Sequence, residues 1–331
     1  MRTPLLILAG LAASGCAFNR NQITGGPGAP GRPSGRTDVA KIAARVNAQS
    51  RPIQSIRCNS VTLDGRAKDP EGNEQIFTLN CLLAFEKPGN FRLAGKLAGR
   101  PEVDLGSTDD EIWCWVKRAD AGKVFFCKRE DLSRVKLAIP FQPDWLAECL
   151  GVIEIDPSQY DLDQDRGNFY AIRSRQRTPT GDPVIKRIIF DRSKNDRIHA
   201  IQLFDANDAR HILASATMEE YYEDKSSYVI PRVVRLQWPE TGTEMKVMLQ
   251  RGSVEFNSIT PELSRQVFSR AGLADREPVN MAEARPQQPS RSGYRGGRES
   301  AARGEATVRP AAGIELGSPE PLHRNRADRG P

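Results

Sequence analysis

EKPGNFRLAGKLAGRPEVDLGSTDDEIWCWVKR, residues 86–118, decides the fold. Three β-prone runs, 91–99, 102–106 and 111–118, are punctuated by Lys87-Pro88-Gly89-Asn90 and by Ser107-Thr108-Asp109-Asp110. Pro presets φ, Gly frees it and Asp caps nearby backbone donors, so these are tight turns between short strands. Trp113 and Trp115 lie two apart, and a strand puts both indoles on one face. The other face carries Ile112, Cys114 and Val116. Both faces are apolar, so both are expected to be covered, and either can be the concave one.

Upstream, residues 54–66 and 74–86 form a hairpin around Asp69-Pro70-Glu71-Gly72, with Phe77, Leu79, Cys81, Leu83 and Phe85 alternating along one face. Ahead of it, 37–49 reads as a helix. Thr37 is its N-cap candidate, Val39, Ile42, Ala43 and Val46 form its stripe, and Pro52 ends it. Downstream, 124–128 returns on the Trp strand through 119–122, and Asp144 caps a short helix over 145–150. After a polar loop at 156–166, strands resume at 168–176, 184–191, 197–205, 210–218, 228–238 and 245–256, each after a short turn. Such spacing requires antiparallel meanders. The expectation is one mainly β domain over 37–272, a strongly curved sheet of about eleven or twelve strands with a few covering helices. A last helix is expected over 258–271, with Thr260 as cap and Pro261 in its first turn.

The ends are of other kinds. Residues 1–15 carry Arg2 and then an apolar run of about nine residues, far short of the ~20 that span a bilayer, which is the layout of a secretory signal peptide. It stops at Ala13-Ser14-Gly15-Cys16. Small residues directly before a Cys resemble the bacterial lipobox, which implies acylation of Cys16 and attachment to a membrane through its fatty chains. Residues 16–36 then have the Gly, Pro and polar composition of a tether. Residues 273–331 are rich in Arg, Pro and Gly and are expected to be a disordered tail. The expected location is the bacterial cell envelope, facing the periplasm, on the outer membrane rather than the inner.

The chemistry-bearing residues are few. With a net charge of +6 in 331 residues, part of it in the tail, no basic helix and no nucleic-acid motif, no specific nucleic-acid partner is expected. His199, His211 and His323 have no nucleophile motif beside them, and GxSxG, HExxH and phosphate-binding Gly loops are absent. The carboxylates of 156–165 read as a solvated loop rather than a calcium site. The chain is therefore expected to be no enzyme and to use no metal or cofactor. If the 119–122 hairpin is centred between Asp120 and Ala121, Cys114 falls opposite Cys127. Cys58 and Cys81 can meet in the first hairpin, depending on its register. Two disulfides with Cys149 free is one reading, and small buried hydrophobes the other.

Taken together, Lys87-Pro88-Gly89-Asn90-Phe91-Arg92, the polar turn and Ile112-Trp113-Cys114-Trp115 resemble the lipoprotein-carrier superfamily of the Lol system, LolA, LolB and relatives. The run from Tyr228 to Val234, with the strand that follows, is similar to that family's second half. The resemblance implies an incomplete antiparallel barrel whose open side is covered by helices and whose apolar cavity takes acyl chains of lipid or lipoprotein. The family's basic position before the Pro, usually Arg, is Lys87 here, and an anchored body is more like the receptor than the soluble carrier. Phe91, Leu93, Trp113 and Trp115 are the candidate cavity liners. The rival expectation is a structural or sensing module that binds a partner protein or cell-wall polymer.

Overall fold

The structure is a computed structural model, and it describes residues 38–68, 72–135 and 143–283. Cys16, the leader, the tether and the tail beyond 283 lie outside the described residues, as do Thr37 and most of the first hairpin's turn.

Among the described residues fifteen strands form one curved, unclosed sheet, a half-barrel. The first half contains β1 (Ser55–Lys68), β2 (Glu74–Glu86), β3 (Asn90–Leu97), β4 (Arg100–Ser107), β5 (Glu111–Val116) and β6 (Lys123–Lys128). The second contains β7 (Asp161–Arg166), β8 (Phe169–Arg177), β9 (Pro183–Asp191), β10 (Arg197–Asp205), β11 (Ile212–Glu223), β12 (Val229–Trp238) and β13 (Thr243–Leu249). Each half is an antiparallel meander, and β1 joins them by pairing with β13. β14 (Val254–Phe256) continues along β1, and β15 (Glu277–Asn280) runs parallel beside β6. The two outermost strands are therefore β15 and β7.

Three strands exceed the sequence expectation. Residues 156–166, read as a loop, contain β7, whose Asp163 and Asp165 pair with Arg173 of β8, Arg187 of β9 and Arg192 in the turn after β9. The run 245–256 is split by a turn into β13 and β14. β15 lies in what reads as tail, so the folded body extends past residue 272 to at least 283.

The concave face is filled by two helices. α1 (Val39–Ser50) buries Ile42, Ala43 and Val46, and its N-cap is Asp38, whose carboxylate accepts from Ala40 N at 2.9 Å. Asn47, also buried, satisfies both backbone groups of Ile155 at 2.7 and 2.9 Å, so this polar side chain closes the core without an orphan. α3 (Pro143–Cys149) follows a helical turn, α2 (Lys117–Asp120), between β5 and β6. α4 (Pro261–Val267) and a 3₁₀ turn (Arg270–Leu273) cross the opposite face.

Candidate functional site

The sheet's alternation decides which residues face the interior. Leu93, Leu105 and Cys114 are direct cross-strand neighbours on β3, β4 and β5, and all three contact the main core. The next row, Arg92, Gly106 and Trp113, faces the other way. Of the four expected cavity liners, Phe91 and Leu93 therefore lie on the concave face and Trp113 and Trp115 do not.

The two tryptophans pack outside, with Val124, Phe126 and Leu273, under the C-terminal segment. Arg92 pairs with Asp104 at 2.5 Å and donates to Val267 O at 2.7 Å, while Trp113 Nε1 donates to Asp104 Oδ1 at 3.1 Å. Arg270 pairs with Glu111 at 2.8 Å and stacks over Phe126, and Arg276 lies over Trp115. An indole pair that would otherwise face solvent is covered by a strap whose sequence has the composition of a linker.

The interior site is built where the two half-sheets meet. β1, β2 and β3 supply Leu63, Leu83, Phe91 and Leu93. β12 and β13 supply Val234, Leu236, Met245 and Val247. Leu146, Cys149 and Leu150 come down from α3 and the residue after it. What remains between them is a cavity of about 20 Å³ lined by apolar side chains. The bowl is thus occupied by the protein's own plug.

A seven-residue helix is far too short to persist in water by itself. α3 exists because Trp145, Leu146, Ala147 and Cys149 are buried, each large apolar side chain contributing roughly 1.5–3 kcal/mol. Trp145 meets Trp238 edge-on at 5.9 Å. The helix ends at Gly151, φ +85°, where a side chain would be strained and would press on Pro231. Ion pairs tie both ends. Asp144 takes two bonds from Arg129, at 3.1 and 3.2 Å, and Arg129 also donates to Gly89 O and Thr108 O on the rim. Glu148 meets Lys186 of β9, with both carboxylate oxygens 2.5 Å from Nζ. Burial is the largest effect on the Lys186 ammonium and pushes its pKa down, but the charge and hydrogen bond of Glu148, with smaller contributions from Tyr160 and Cys149, together outweigh it and the pKa is raised overall. The Cys149 thiol, desolvated and beside Glu148, is held well above its ordinary value and is inert as a nucleophile.

Lys87 has a structural place. It follows α1 in space, donating to Ser50 O at 3.2 Å and to Glu154 Oε1 at 2.9 Å, and its bond to Pro88 is cis. That hydrogen bond, with the Lys87 and Arg51 charges, lowers the Glu154 pKa against a smaller opposing effect of burial.

At 9–12% identity and TM-scores of 0.44–0.46, the chain is similar to three solved structures. A domain named for outer membrane lipoprotein sorting, from Vibrio parahaemolyticus, matches at 9% identity over 68% of this chain and 95% of its own, TM-score 0.46. The chain is similar to solved LolA superfamily structures. One such protein, from Nitrosomonas europaea, matches at 12% identity over 71% and 98%, TM-score 0.44. A DUF1329 family protein from Desulfovibrio piger matches at 11% over 72% and 100%, TM-score 0.45. No family model and no curated protein matches the chain. At these scores, what those proteins bind says nothing about this one.

Of the two readings of the cysteines, the disulfides are not formed: the five cysteines of the described residues are free. The turn α2 moves the β5–β6 register by two residues, so Cys114 faces Phe125 and Cys127 faces Ile112. On β1 a bulge after Cys58 puts that residue opposite Leu83 and Cys81 opposite Val61. Burial lifts the thiols of Cys81 and Cys114 to about 12, Asp104 adding to the second, as for small core residues. His199 packs on Phe169, whereas His211 pairs with Glu240. Sequence reading missed Lys186, Glu148 and Arg129, and gave Asp144 as a helix cap, whereas it lies in the first turn of α3 and pairs with Arg129. The available signal was Lys186 itself, in the inward register of Val184, Ile188 and Phe190.

Proposed function

We propose that this chain is a lipid-anchored envelope protein, held to the outer membrane through Cys16, whose half-barrel takes up acyl chains of a lipid or lipoprotein by displacing α3. The observation that carries this reading is the plug. Beside α1, a cavity lined by apolar side chains is stopped by one short helix, and that helix is fastened at its ends by two ion pairs. Swinging α3 out would free the volume of Trp145, Leu146, Cys149 and Leu150 inside apolar walls. An acyl chain would then regain by burial, at roughly 25 cal/mol per Å², what the plug gives up. Binding of this kind is non-covalent, and the reading assigns no catalytic residue, metal or cofactor. Among the described residues no helix is long and apolar enough to cross a membrane; the anchor in this proposal is the acylated Cys16.

A second reading has its own support. The residual cavity of about 20 Å³ has room for little more than one water. A half-barrel permanently filled by its own helices is a structural or sensing module that works through its outer face, on a partner protein or cell-wall polymer. Lipid extraction from the purified Cys16→Ala chain separates the two. Co-purifying lipid supports the carrier reading, and a lipid-free protein that also fails to take up added lipid supports the module.

A further inference from the structure

One charged side chain of β9 points into the bowl. Along β9 the inward positions are Val184, Lys186, Ile188 and Phe190; the three apolar ones are at most 2% exposed and Lys186 is 4% exposed. An apolar residue of similar size would fill that place without desolvating an ammonium, so the lysine is not there for packing. Its carboxylate partner, Glu148, comes from the plug and not from the sheet, and no other carboxylate among the described residues acts on it appreciably.

The sheet around Lys186 offers donors. Ser174 stands directly across from it on β8 and Leu203 on β10. Ser174 is 5% exposed and its hydroxyl makes no complete hydrogen bond; the Tyr160 hydroxyl approaches it without closing one. Glu148 itself keeps about a quarter of its side-chain surface in solvent, so the pair sits at the mouth, while the next residue, Cys149, lines the cavity. If α3 withdraws, Glu148 withdraws with it. The wall then presents an ammonium and a hydroxyl at the mouth of an apolar bowl, with no anion to neutralise them.

We propose that Lys186, with Ser174 and Tyr160, is the head-group site for an acidic amphiphile, and that the Glu148 carboxylate occupies that site as a stand-in when α3 is closed. The inference rests on the carrier reading above and adds the class of ligand: one or more acyl chains carrying a carboxylate or phosphate head. The ligand's anion replaces Glu148 on Lys186 while its chain replaces Leu146 and Leu150. Closed and loaded states both keep the buried cation paired, which is the condition for either to be stable.

Equilibrium dialysis of the full chain carrying Cys16→Ala, against palmitate, lysophosphatidic acid and palmityl alcohol at neutral pH, tests this. At least one acid is expected to bind about tenfold or more tighter than the alcohol, the size of a charge-assisted hydrogen bond. Preference for palmitate or for the phosphate ligand identifies the carboxylate or phosphate source. Lys186→Met should abolish the preference, so that acids and alcohol bind the variant with equal affinity. Glu148→Gln, which also loosens α3, should tighten binding of the acids more than that of the alcohol. Should Lys186→Met not fold with Glu148 unpaired, the doubly neutral Lys186→Met, Glu148→Gln chain gives the same comparison. Equal binding of acids and alcohol, or a preference that survives Lys186→Met, overturns this inference while the carrier reading stands. No binding of any of the three overturns both.

Discussion

Trp113 lies flat against Gly106 across the β4–β5 ladder, so close that a Cβ on Gly106 would stand 2.1 Å from the indole. The missing side chain is what lets the indole lie on its neighbour strand and donate to Asp104. Gly106→Ala is therefore expected to destabilise the fold by about 1–3 kcal/mol through overpacking, seen as a lower urea midpoint with unchanged slope. No loss would mean that the indole stands elsewhere.

Two basic residues near the family-like turn should differ in what their truncation costs. Arg92→Ala leaves Asp104, whose side chain is 9% exposed, without its cation. A cost of about 3–5 kcal/mol is expected for breaking a pair so buried. Lys87→Ala breaks a bond to Glu154, about half exposed, and should cost below about 1 kcal/mol. Chemical denaturation of both variants checks the ranking.

The plug can be watched through Cys149. With α3 seated, that thiol is buried and its pKa is raised, so alkylation by iodoacetamide should be slow. Arg129→Ala removes the tie to Asp144 and should speed labelling of Cys149 but not of Cys81, read site by site by mass spectrometry. Equal rates in the two proteins would show that Arg129 does not hold α3.

His199 gives the pH dependence a sign. Burial first, and Lys194 second, lower its pKa below 6.5, against a smaller raising effect of Asp191. The unfolded chain therefore binds a proton more readily than the folded one. Stability from this group is present above about pH 6.5 and is lost as pH falls from there toward the folded pKa. Thermal melts of His199→Phe should be flatter between about pH 7 and 5 than those of the parent.

How much of this was legible in the chain depends on where the information sits. The alternation of Phe77, Leu79, Cys81, Leu83 and Phe85, and the turns at 87–90 and 107–110, carry their own structure, and β2 to β5 lie within a few residues of the sequence reading. The direction of Trp113 and Trp115 was not readable, because Ile112 and Cys114 are equally apolar and only the strap decides between the faces. β7 shows no apolar alternation; Asp163 and Asp165 belong to a sheet because of arginines on β8 and β9 and in the turn after β9. β15 is short and polar, and it holds through the Leu273 and Arg276 contacts beside it. Lys186 was written in plain view, one charge among inward apolar positions, but its meaning needs the carboxylate that α3 brings to it.

The central claim is that the filled bowl opens to take acyl chains. Native mass spectrometry with lipid extraction, on the Cys16→Ala chain purified from a cell envelope, tests it most directly, because that substitution removes the anchor's own fatty acids. The account predicts a bound, extractable lipid at close to one per chain, lost when Leu146→Arg puts a charge in the bowl of a chain that still folds by circular dichroism. A lipid-free protein, which stays so after incubation with lipid vesicles and keeps Cys149 unreactive throughout, would contradict it.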